Sequence, residues 1–187
     1  MTMARLTSAD AYDRTSRYLH WIIAFVVVGQ WLGAHAIDWF PKGPLRVDVR
    51  SVHIVFGAIL AIAIGFRLYW RLFYGARFAR EMTAVGLLAE CVHVGLYLLM
   101  LTIVCLGLFT AWLRGDDLFG LGHIPKFGVY SDIMRHQLVE KVVGLHSLAA
   151  NAILFVAGFH ALAALMHYFV LKDSVLQRMV PGLSPRK

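Results

Sequence analysis

The chain has 187 residues, 59% of them hydrophobic and only 16% charged, with a mean hydropathy of +0.67. Water-soluble domains carry about a quarter charged residues, so a soluble fold would have nowhere to place this much apolar surface, and the length suits a single membrane domain over 1–187. The net charge of +7 flanks apolar runs rather than forming one patch, which points to lipid headgroups and away from nucleic acid.

Arg14 and Arg17 precede a first apolar run at about 18–37, which holds His20, Gln30, His35 and two tryptophans. Ala34-His35-Ala36 is similar to a signal-peptide cleavage site, but the long charged lead and the polar residues within the run favour an uncut helix. A turn-rich connector from Asp38 to Arg50 follows, with Pro41, Gly43 and Pro44. The second run, about 52–73, opens on His53, and the joint after it carries Arg77, Arg80 and Glu81. The third, about 87–113, holds His93, Cys91 and Cys105. Fourteen helical residues separate those cysteines by roughly 21 Å, beyond disulfide reach. No C-x-x-C-H is present, so no covalent haem attachment is expected.

The longest connector, Arg114 to Lys141, carries Pro125, His123, His136, several glycines and four acids. The fourth run, about 143–171, holds His146, His160 and His167 and is long enough to tilt or to project from the bilayer. Each run reaches the ~20 residues needed to cross the hydrocarbon. The expected fold is all-α, a transmembrane four-helix bundle.

Lys and Arg counts orient it. With both termini cytoplasmic, eleven cations lie inside, among them Arg5, Arg14, Arg17, Arg67, Arg71, Lys172, Arg178, Arg186 and Lys187. Seven lie outside: Lys42, Arg46, Arg50, Arg114, Lys126, Arg135 and Lys141. Six acids nearly balance the outer seven: Asp38, Asp48, Asp116, Asp117, Asp132 and Glu140. Trp21, Trp39, Trp70, Trp112 and Tyr69 fall near the span edges, where aromatic belts form.

Six of the nine histidines (His20, His53, His93, His146, His160 and His167) lie within or at the edge of a span. Ionisable side chains inside membranes are rare and face the bundle interior. One such histidine can be explained as an interhelical hydrogen bond; six cannot easily be. On the fourth helix, spacings of 14 and 7 residues place His146, His160 and His167 on one stripe, with His146 and His160 roughly 21 Å apart. That suits two flat macrocycles, one near each surface, each with iron held between imidazoles of two helices. His53 matches His146 in depth at the outer end, with His35 a weaker competitor. At the inner end depth pairs His20 with His160 or with His167 about equally, and His93 is a third candidate.

These residues form an ordered series: Tyr12-Asp13-Arg14 and Leu19-His20-Trp21, then Arg50-Ser51-Val52-His53 with Gly57, then Phe66-Arg67-Leu68 with Arg71. His93 with Leu96-Tyr97-Leu98, Val143-Gly144-Leu145-His146, Gly158-Phe159-His160-Ala161 and His167-Tyr168-Phe169 with Lys172-Asp173 complete it. The series resembles the bacterial cytochrome b561 family, four-helix di-haem proteins of the inner membrane, over most of the chain. The resemblance implies two haem b groups, the inner on His20 and His160 and the outer on His53 and His146. Gly57, one turn after His53, fits a close approach of porphyrin to backbone.

Family members include a superoxide oxidase, which passes electrons from superoxide outside to ubiquinone in the membrane. Lys42, Arg46 and Arg50, on the connector leading to His53, could steer that anion. His167 and Lys172, beyond His160, could serve a quinone site. The expected protein is then a multi-pass inner-membrane superoxide:ubiquinone oxidoreductase, with a homo-oligomer compatible. One alternative is a cytochrome b subunit linking a periplasmic dehydrogenase or hydrogenase to quinone, docked through the long outer connector. A second, a non-redox histidine-lined transporter, is disfavoured because Glu90 is the only acid near a span interior.

Overall fold

The computed structural model describes residues 12–75 and 83–180. Arg5, Arg77, Arg80, Arg186 and Lys187, which enter the charge count above, and Glu81 lie outside the described residues. Helix α1 spans Arg14–Ile37, α2 Pro44–Phe73, α3 Ala84–Arg114 and α4 Asp132–Met166. All four are long and apolar enough to cross a membrane. The starts follow from sequence. Asp13 and Thr83 accept the backbone N–H groups of Ser16 and Gly86, and Ser131 accepts that of Met134, satisfying donors that have no carbonyl in their own helix. Pro44 is pre-set at the first position of α2. Gly115 ends α3 at φ 66, where a Cβ would meet the Lys126 side chain at 2.5 Å.

Packing is inverted relative to a soluble protein. Phe25, Ile62 and Phe155 are 72%, 72% and 69% exposed, whereas among the described residues the buried apolar cluster is Ile23, Leu60 and Ile64, with Met100, Val104 and other partly buried neighbours packed on it. Each helix packs on the next, but α1 and α4 meet sparsely, through side chains such as Trp31, whose indole donates to Asn151 (2.8 Å). The bundle therefore has a seam along α1 and α4. Tyr12 N–H bonds the Arg178 carbonyl, so the two ends of the described chain share one face.

Two boundaries differ from expectation. Arg46 and Arg50 were expected in a connector, yet α2 begins at Pro44, so both ride its first turns. Likewise α4 begins eleven residues before the apolar run, at Asp132. Its polar first turns, where His136 and Glu140 lie 3.7 Å apart one turn on from each other, are helical without being apolar. The longest connector thus shrinks to 115–131, with a two-residue hairpin, β1 (Asp117–Leu118) and β2 (Gly122–His123). Ser51, 0% exposed, ties that hairpin to α2: its hydroxyl is shared between the carbonyls of Val47 and Asp117 and accepts the Phe119 N–H. Arg135 donates to the carbonyls of Leu113, Phe127 and Gly128, closing the loop over α3.

At the opposite end α4 loosens into one π-helical turn, His167–Leu171, and the chain reverses at Lys172 (φ 55).

Candidate functional site

The histidines gather at two levels. At the hairpin end, His53 of α2 and His146 of α4 face each other with ring centres 6.3 Å apart. The His146 Nδ1–H donates to the carbonyl of Ile103 (3.0 Å), which leaves Nε2 as an unprotonated lone pair. The His53 Nδ1 is buried with no hydrogen-bond partner, while its backbone carbonyl accepts from Gln30 (2.8 Å). Between them lies a cavity of about 400 Å³, lined among others by His53, His146, Gly57, Gly107, Trp31 and Asn151. Gly57 leaves room for Gln30, whose Nε2 a Cβ would meet at 3.3 Å. Gly107 leaves room for His146: a Cβ there would lie 3.0 Å from Cε1 of its ring.

At the other level His20 of α1 and His160 of α4 stand 6.4 Å apart, and His93 of α3 adds a third ring 5.2 Å from His160. Arg67 of α2 places Nη2 3.1 Å from Nδ1 of His20 and donates Nε–H to the Tyr97 hydroxyl. Of the two fourth-helix candidates, His160 is the one whose ring faces His20. His167 sits on the π turn with Nδ1 hydrogen-bonded to Asp173, and its ring is not among those that meet His20. Burial alone would raise the Asp173 carboxyl, but hydrogen bonds from His167 and from the Val175 N–H, with the charges of His167 and Arg178, hold it below the usual range. Lys172 is exposed at the end of that turn.

A metal bonded to two imidazoles at about 2 Å from each nitrogen separates the ring centres by roughly 6 Å. Both facing pairs show that spacing. Among the described residues no group of three or more histidine, cysteine or carboxylate side chains is arranged to hold a bare ion. Two imidazoles per level are what iron needs when a porphyrin supplies its other four nitrogens. The residues therefore fit haem at each level.

The remaining candidates scatter. His35 bonds the Trp31 carbonyl of its own helix, and His123 and His136 are exposed. Arg46 pairs with Asp38, and Arg50 with Asp116, a carboxylate 5% exposed that also faces Arg114. Lys42, exposed, shares a cleft of about 600 Å³ with Arg50, Arg114, Arg135 and His136, and with the acids Asp132 and Glu140. So the three cations expected to steer an anion are not one loop cluster. Arg50 and Lys42 share the cleft, and Arg46 lines the cavity below it. Arg114, Arg135, Gly107 and Asp116 were not singled out from sequence.

The model of the family described as prokaryotic cytochrome b561 matches residues 11–182. Among curated relatives, the chain is 27% identical over 165 residues to "Probable superoxide oxidase CybB" of Yersinia pestis, covering 87% of this chain and 92% of that one. It is 28% identical over 180 residues to "Cytochrome b561 homolog 1" of Escherichia coli K12 (92% and 98%). It is 29% identical over 186 residues to "Cytochrome b562" of Cereibacter sphaeroides (94% and 98%).

Proposed function

This chain belongs to the prokaryotic cytochrome b561 family of multi-pass membrane electron-transfer proteins, and from that premise we propose that it carries two b haems and moves electrons from superoxide outside to ubiquinone in the bilayer. The observation that carries the reading is the pair of facing imidazoles at each of two levels, at one metal-bridging spacing. His53 and His146 hold the outer haem, and His20 and His160 the inner one. Each haem, when bound, supplies a one-electron carrier with a low-spin iron.

Two superoxide anions each give up one electron and leave as dioxygen, and one quinone takes both electrons with two protons to become quinol. Lys42, Arg46 and Arg50 raise the local concentration of the anion at the outer rim, Arg46 and Arg50 less than bare cations would because Asp38 and Asp116 pair with them. His167 and Lys172 meet the quinone oxygens two turns beyond His160. Asp173 fixes the His167 proton on Nδ1, leaving Nε2 to hydrogen-bond or exchange a proton with quinone. The relative named as a probable superoxide oxidase supports the choice of donor.

The test uses the purified chain in lipid nanodiscs containing ubiquinone. Two low-spin b haems per chain, reduced by pulses of superoxide and reoxidised by the quinone, are expected, and a colourless protein ends the reading. The rate of reduction by superoxide should fall on the order of tenfold between low and high salt, because steering is screened; a rate indifferent to salt would remove Lys42, Arg46 and Arg50 from the function. His167→Ala should slow reoxidation by quinone at least about tenfold while both haem spectra survive. Unchanged quinone kinetics would reject that site.

A further inference from the structure

Arg67 follows His53 by fourteen residues on α2, so it lies roughly 21 Å further along the axis and on nearly the same face. On α4 the same interval separates His146 from His160. Where α4 repeats a histidine, α2 supplies a guanidinium. It is held rather than free: Nε–H donates to Tyr97 (3.1 Å) and the guanidinium lies 5.8 Å from the Tyr97 ring centre. Nη2 stands 3.1 Å from His20 Nδ1, but a ring that gives its Nε2 lone pair to a metal keeps its proton on Nδ1, so that approach sets donor beside donor and is no hydrogen bond. Among the described residues no carboxylate pairs with it. A cation inside a span without an anion is costly, and such residues are kept for function.

Two consequences for iron at the inner level share one sign. The fixed positive charge favours the form of the site that has gained an electron, and low-dielectric surroundings screen it little. The second concerns ligand strength. His146 gives its Nδ1 proton to a carbonyl, a contact that makes the imidazole a better donor to the metal. A guanidinium offers only donors, so His20 has no such contact and binds iron more weakly in its oxidised form. At the outer level the cations are largely neutralised: Arg46 by Asp38, and Arg50 and Arg114 by Asp116.

We propose that Arg67 sets the inner haem at a higher potential than the outer one, so that an electron arriving between His53 and His146 moves downhill to the level of His20 and His160. The proposal rests on the di-haem reading. Potentiometric titration of the visible spectrum tests it, on the unsubstituted holoprotein and on Arg67→Gln, Arg67→Lys and Arg50→Gln.

Arg67→Gln should make reduction of one haem at least tenfold less favourable, about 59 mV for one electron, and leave the other in place. Arg67→Lys should retain most of the potential, and Arg50→Gln should move the other component, which identifies it as the outer one. A potential that stays or rises in Arg67→Gln, or a shift in the component that Arg50→Gln also moves, overturns the proposal. If Arg67→Gln does not keep its inner haem, Arg67→Lys decides: an unchanged potential supports the assignment and a tenfold fall overturns it. Fewer than two b components in the unsubstituted protein would sink the di-haem reading, and this proposal with it. Two components that ignore Arg67→Gln would sink the proposal alone.

Discussion

Replacing His146 or His53 by alanine is expected to remove one of two b-type absorptions and halve the haem bound per chain, and replacing His20 or His160 to remove the other. The reason is geometric. Each level holds one pair of rings with centres 6.3 or 6.4 Å apart, drawn from two helices, and among the described residues no third imidazole meets the His53–His146 pair. On the inner side His93 stands 5.2 Å from His160, closer than roughly 6 Å, the spacing two metal-bound rings require. His20→Ala is therefore expected to lose this haem rather than recruit His93. His167→Ala and His35→Ala serve as controls, since those rings are bonded to Asp173 and to the Trp31 carbonyl. Both should keep two haems. Retention of two haems in His146→Ala, measured by haem-to-protein ratio on folded, monodisperse material, would break the assignment.

How much of this was legible in the sequence depends on what each residue does. Spans were readable because lipid contact demands unbroken apolar residues, and the fourteen-residue interval of His146 and His160 survives translation into a helix without knowledge of anything else. The choice of His160 over His167 was not readable by depth. An apolar run does not show where its helix starts: α1 begins at Arg14, capped by Asp13, whose carboxylate also accepts from Trp70. His20 thus lies nearly two turns into its helix, level with His160. At the far end the chain widens into a π turn, which an assumption of regular helix cannot register.

The start of α4 was missed because its first turns are polar, and an apolar-run criterion stops where water begins. Asp116 and Arg135 were passed over for a related reason. Their roles depend on partners 66 and 22 residues away, and such pairings are set by the packed bundle, not by local pattern. Arg67 was counted as a flanking charge, yet its nearest polar neighbours are a tyrosine on α3 and a histidine on α1.

Gly107→Val is expected to empty the outer site while leaving the inner one and the fold intact. Nothing about Gly107 stands out in an apolar span, where glycine is common. In the folded chain, however, its missing side chain is the space that the His146 ring occupies: a Cβ would lie 3.0 Å from Cε1 and 3.4 Å from Nδ1. A β-branched residue is stiff at χ1 and would add atoms beyond that Cβ, so the ring must rotate away. Rotation breaks the Nδ1–H bond to Ile103, a loss on the order of 1 kcal/mol by itself. It also turns Nε2 away from His53, and binding geometry tolerates such displacement poorly.

Gly107→Ala asks the ring for only a few tenths of an ångström and should keep two haems, with a displaced outer potential because the ligand's second hydrogen bond is strained. At Gly95 on the same helix a Cβ would meet nothing within 4 Å, and Gly95→Val should change neither haem. The haem-to-protein ratio separates the three, near one for Gly107→Val and near two for the others. Two haems in Gly107→Val would mean that His146 has room the packing does not show, and would remove this glycine from the outer site.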